Sequence, residues 1–143
     1  MEAKETDNVQ GMGLTILRVV IGIVFFVHGL QKLFPMGLGG VSGMMEGFGI
    51  PAPGLAAVIV TLVELLGGLA LLLGLFTRFA AVLLSLDMLV ATLVVHLPNG
   101  FYVQNGGYEF PLVLLAASLA LAITGTCRKP WIVFSRRERN ILC

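Results

Sequence analysis

Apolar positions along this chain gather into four runs, separated by links rich in glycine and proline. The runs are Leu14–Phe34, Gly54–Phe76, Phe79–Leu97 and Phe110–Gly125. A helix crossing a bilayer needs roughly 20 apolar residues, so each run predicts a spanning helix, the last at the short limit. Pro35 stops the first helix, because proline lacks the N–H that the next turn needs. Pro53 suits the first turn of the second helix, where no N–H is required. The second helix is expected to end near Gly74, with Thr77 as the N-cap of the third, so the two form a tight antiparallel hairpin. Link 35–53 holds six glycines, three prolines and three methionines. It reads as an apolar lid or re-entrant turn on the outer face. Asn99-Gly100 and Asn105-Gly106-Gly107 mark turns in link 98–108, and Pro111 opens the fourth helix.

Composition agrees with that pattern. Hydrophobic residues make up 57% of the 143 and charged residues 12%. With a mean hydropathy of +0.97, a soluble globule would have too little polar surface to cover itself. The fold class is therefore an all-α membrane protein, a four-transmembrane-helix bundle. Three segments are expected: a polar stretch 1–13 that frays, a helical domain 14–125, and a basic interfacial tail 126–143. Five of the nine Lys and Arg lie in that tail: Arg128, Lys129, Arg136, Arg137 and Arg139. Arg78 marks the tight link between the second and third runs, while links 35–53 and 98–108 carry neither Lys nor Arg. The positive-inside rule then puts both termini in the cytoplasm. The first run carries Arg18 and lacks a small-residue cleavage site, so it reads as a span and not as a cleaved signal. Cys127 and Cys143 match no redox or zinc spacing and are expected to be reduced thiols.

The chemistry lies in ionisable residues inside the apolar runs. A charge in lipid costs a few kcal/mol or more and is kept when it pairs or works. On the first helix Arg18, Gly22, Phe25, Gly29 and Lys32 share one stripe, and on the second Glu64 and Gly68 share a face. Small residues there allow close helix contact. From a rise of about 1.5 Å per residue, Arg18 lies about 6 Å from the cytoplasmic end, Asp87 about 13 Å, Glu64 about 18 Å, His28 about 21 Å, and Lys32 and His96 about 27 Å. Asn99 and Glu109 join the outermost level. The expected pairs are Arg18 with Asp87, His28 with Glu64, and Lys32 with Glu109. A bland reading exists for each: Lys32 snorkels to the surface, His96 caps a helix end, and the carboxylates hold helices together.

A His with carboxylates can pass protons, and Arg or Lys can hold a carbonyl or an anion. His28, Glu64 and Asp87 are the candidate catalytic groups. Arg18, Lys32, His96, Asn99 and Glu109 are the candidate ligand-binding groups. The residue types fit a small redox head group and fit haem or iron–sulfur ligation poorly. No metal site, covalent cofactor or nucleotide loop is expected.

Those same residues carry a family resemblance. Arg18-x3-Gly22-x2-Phe25-x2-His28-Gly29-x2-Lys32-Leu33 resembles the first-helix signature of the DoxX family of small bacterial membrane proteins. The match continues through Gly49-Ile50-Pro51-Ala52-Pro53, Glu64-x2-Gly67-Gly68 and Gly74-Leu75-x-Thr77-Arg78. It resumes at His96-x2-Asn99-Gly100-Phe101 and Asn105-Gly106-Gly107-Tyr108-Glu109. These blocks cover residues 14–125, and the longer, more basic tail departs from the family pattern. The resemblance implies a multi-pass protein of the bacterial inner membrane. Relatives are similar to the membrane subunit of a thiosulfate:quinone oxidoreductase, or are tied to complexes handling thiol and oxidative stress. A quinone as ligand, an oxidoreductase partner and the lipid bilayer are thus expected, with room for a homo-oligomer and no nucleic acid. Two other readings compete: an anchor or scaffold for soluble oxidoreductases, and a small proton-coupled transporter.

Overall fold

The computed structural model describes residues 2–125, so the tail from 126, including Cys127, Cys143 and its basic residues, lies outside the described residues. All regular structure among them is helical. The helices are α1 (Glu2–Leu33), α2 (Gly37–Gly47), α3 (Pro53–Leu73), α4 (Thr77–Val90) and α5 (Glu109–Thr124). Beyond Val90, α4 continues as a π-helical stretch, Ala91–His96, and a 3-10 turn, Leu97–Asn99. Three helical segments are long and apolar enough to cross a membrane: Val9–Leu33, Pro53–Leu73 and Thr77–Asn99. The apolar α5 has 16 residues, about 24 Å of helix, which is shorter than a bilayer core.

The packing is a ring. α1 lies along α3, α3 along α4, α4 along α5, and α5 returns to touch α1. Ile21 and Phe25, Leu71, Leu84 and Met88, and Leu114 and Leu121 meet at its centre. A second cluster joins Val41 and Met45 of α2 to Ala57 of α3. The outside is apolar too: Val20, Ile23, Val27, Leu62, Leu66, Leu86, Val113 and Ile123 are all exposed. A girdle of this kind needs a lipid partner.

The α1–α3 seam is built on glycine. A Cβ on Gly68 would fall 2.4 Å from Phe26 N, and one on Gly29 would fall 2.6 Å from Leu65 N. The two backbones therefore touch, as membrane helices do where small residues allow it. The stripe read from the sequence is this seam: Arg18, Phe25 and Gly22 are buried on it, and Lys32 reaches across to α3.

Local structure departs from the sequence pattern in four places. α1 starts at Glu2, where the polarity of residues 1–13 predicts fraying; Glu2, Ala3, Lys4 and Glu5 are good helix formers, and polarity does not oppose a helix. Link 35–53 contains the helix α2, packed on α3 and α1; Val41 and Met45 supply the buried face that its glycines conceal. Thr77 is the first residue of α4 and not its cap. Phe76, left-handed at φ +46°, holds the cap position without a side-chain bond, so the Thr77 hydroxyl is left unpartnered. The third run also changes from α to π geometry after Val90. Elsewhere the pattern holds: Pro53 opens α3, Gly74 closes it in the left-handed conformation at φ +73°, and Pro111 lies in the first turn of α5.

Candidate functional site

One cavity of about 430 Å³ opens between α1, α3, α4 and α5 beneath α2. Five of the sequence-predicted groups line it: His28 and Lys32 from α1, Glu64 from α3, Asp87 from α4, and His96 from the π-helical stretch. The volume lies in the usual range for a small-molecule site, and the walls are mainly apolar with a few convergent polar groups.

The ion pair at its centre differs from the expected ones. Lys32 Nζ donates to Glu64 Oε2 across the α1–α3 seam. Glu64 is 3% exposed and Lys32 18%, so the pair sits at the edge of water and not in bulk solvent. Lys32 starts nearer the outer end of its helix than Glu64 does. Its four-carbon stem spans that offset, which comparing depths alone does not capture. His28, expected to bond Glu64, instead meets Phe110 edge to face, with ring centroids 5.9 Å apart.

Glu109, expected to reach Lys32, accepts the Val103 N–H at 3.0 Å. It thereby closes the loop 100–108, which Tyr108 N and Glu109 N also tie to Gly100 O and Phe101 O. His96 Nδ1 lies 2.6 Å from Gly106 O. A carbonyl only accepts, so Nδ1 carries the proton, and in the neutral ring Nε2 keeps its lone pair. Asn99 donates to Val95 O and Gly106 O, both at 3.3 Å. Asn99 and Glu109 thus build the loop at the rim and do not line the cavity.

Arg18 and Asp87, the third expected pair, do not meet. Asp87 Oδ2 is buried and unpartnered among the described residues, as are Arg18 Nε and Nη2. Arg18 lies against Gly74, away from the cavity. Axial height put the two at neighbouring levels, but α1 borders α3 and α5 in the ring and makes little contact with α4.

The sequence reading misses the character of the walls. Met36, Met44, Met45 and Met88 line the cavity together with Phe48 and Phe110. The methionines of link 35–53 are visible in the sequence, but only the α2 helix aims two of them inward. Thioether walls are polarizable and adaptable, and they make favourable contacts with aromatic rings. Among the described residues, no three His, Cys, Asp or Glu gather as a metal site.

With this geometry in place, known proteins supply a family. A family model described as DoxX matches residues 13–97. A Bacillus subtilis (strain 168) protein named "Putative oxidoreductase CatD" is 35% identical over 134 residues, covering 91% of this chain and 94% of that protein. "Inner membrane protein YphA" of Escherichia coli (strain K12) is 34% identical over 120 residues, 78% of this chain and 82% of its own. "Inner membrane protein YqjF" of the same organism is 30% identical over 118 residues, 82% and 88% of the two chains. No solved structure matches the chain. The chain belongs to the DoxX family and is a multi-pass membrane protein.

Proposed function

We propose that this chain is a bacterial inner-membrane subunit of an oxidoreductase system, and that its cavity receives a quinone head group or a small sulfur or thiol species. The observation that carries this reading is the convergence of His28, Lys32, Glu64, Asp87 and His96 on one apolar, methionine-walled cavity. The relative named as an oxidoreductase supports the class of chemistry.

The residues fit a ring bearing oxygens at its edge. Lys32 Nζ has three donors and spends one on Glu64, so it can also hold a ligand oxygen. Asp87 Oδ2 faces no protein partner and can bind or release a proton at that atom. His96, held by Gly106 O, presents an acceptor at Nε2. A quinone, when bound, supplies two-electron, two-proton redox chemistry, and the protein supplies binding, orientation and proton positions. A partner protein or a second ligand exchanges the electrons.

Lipid extracts of the purified protein should contain quinone. His28→Ala should weaken binding of a short-chain quinone about tenfold, which is about 1.4 kcal/mol, with little change in melting temperature. Both are read on one sample. Unchanged binding with a lowered melting point would sink the assignment and leave His28 as a packing residue beside Phe110.

The same reading gives a four-span bundle, α5 being the fourth span, with both termini cytoplasmic. The Lys/Arg asymmetry of the links supports it. Gly43 and Gln104 are exposed in the two links that lack Lys and Arg. A membrane-impermeant thiol reagent added to intact cells should label Gly43→Cys and Gln104→Cys and spare the native Cys143. Labelling of Cys143 from outside would overturn the topology.

A further inference from the structure

The corner between α3 and α4 holds a positive charge with no counterpart. Arg18 is 1% exposed, and its Nε and Nη2 are buried without a partner among the described residues. Its guanidinium lies against Gly74, the C-cap of α3: a Cβ there would fall 2.3 Å from Nη1 and 3.2 Å from Nη2. Three residues on, Thr77 opens α4 with a hydroxyl that is also buried and unpartnered. Ala80 N is bonded back to Phe76 O, so Thr77, Arg78 and Phe79 carry the N–H groups that the first turn leaves free. Exposed Arg78 adds a second cation to this corner. The carboxylates of Glu64 and Asp87 line the cavity instead, and Arg18 forms no salt bridge among the described residues.

An uncompensated guanidinium in an apolar interior is costly, and it cannot escape by losing its proton. Its planar fork of donors matches oxygens on a phosphorus, sulfur or carboxyl centre two at a time. A neighbouring hydroxyl and the positive end of a helix complete that match.

The geometry points to an oxyanion site at the α3–α4 corner, in which Arg18 and Thr77 hold a phosphate-type group. The group comes from a lipid phosphodiester or from a free anion. The site is separate from the methionine-walled cavity and stands whether or not that cavity takes a quinone.

The test uses the full chain purified in neutral detergent. Its melting temperature is followed against sodium sulfate at constant ionic strength, set with chloride, and against mixed micelles containing phosphatidylglycerol. At least one probe should raise the melting temperature. A rise with sulfate identifies a free oxyanion as sufficient, and a rise with phosphatidylglycerol alone identifies the lipid phosphate. Arg18→Gln should abolish the rise, and Thr77→Val should move its midpoint to several-fold higher probe concentration. No rise with either probe, or the same rise in Arg18→Gln, would overturn the site. If Arg18→Gln does not fold, Thr77→Val decides: an unchanged midpoint overturns the proposal.

Discussion

Gly68→Ala should destabilise the protein more than any other single methyl added to it. The new Cβ would lie 2.4 Å from Phe26 N and 2.9 Å from both Phe26 Cα and Gly22 O. These are backbone atoms of α1, which cannot rotate aside as a side chain would. Overpacking a well-filled core costs roughly 1–3 kcal/mol where side chains can adjust. Parting two helices costs more, so a loss of at least about 3 kcal/mol is expected. Gly13→Ala is the control. It lies on α1 with nothing within 4 Å of the added carbon, and in a helix alanine is favoured over glycine by about 1 kcal/mol. Thermal melting in detergent separates the two. Equal melting points for Gly68→Ala and wild type would mean that α1 and α3 are not in backbone contact.

The second large effect lies at the ion pair. Glu64→Leu strips Lys32 of its partner and leaves an ammonium facing an apolar cavity. Breaking a buried pair costs roughly 3–5 kcal/mol. Lys32 keeps some exposure, so the lower end applies. Removing both charges, as in Lys32→Met with Glu64→Leu, should recover most of the loss, because no charge is then left uncompensated. Glu46 is exposed on α2, and Glu46→Leu should shift stability by about 0.5 kcal/mol or less. Asp87→Leu should behave differently from Glu64→Leu. Asp87 has an unpartnered oxygen, and replacing such a group by an apolar one removes a desolvation penalty. Its melting point should hold or rise while ligand binding falls. Four equal melting points would count against the Lys32–Glu64 pair.

The sequence makes the helices legible because lipid demands it. Each span needs a long apolar run, and proline and glycine mark the ends at Pro53 and Gly74. The face of α1 is legible for the same reason: Arg18, Gly22, Phe25, Gly29 and Lys32 cannot face lipid cheaply, so they face α3. The partners are less legible. Height along a helix fixes which groups share a level, but not which helices are neighbours. Arg18 and Asp87 share a level and stay apart, whereas Lys32 and Glu64 differ in level and meet because lysine is long. The helix α2 is hidden by its glycines, since propensity alone argues against it and only packing on α3 supports it. The methionine walls follow from α2 and stay hidden with it.

The π-helical stretch Ala91–His96 carries a consequence for how the cavity's rim is aimed. Thr92 Oγ1 takes the Met88 carbonyl at 2.7 Å, and Leu97 N–H reaches back five residues to Thr92 O. The helix therefore carries a register fault: more residues per turn than an α-helix has, confined to one stretch. Shifting such a fault by one residue turns everything beyond it by about 100°. Asp87 and Met88 lie before the fault, and His96 with the loop it anchors lies at its far end. The floor of the cavity is thus fixed to the bundle, while its outer wall is joined through a swivel.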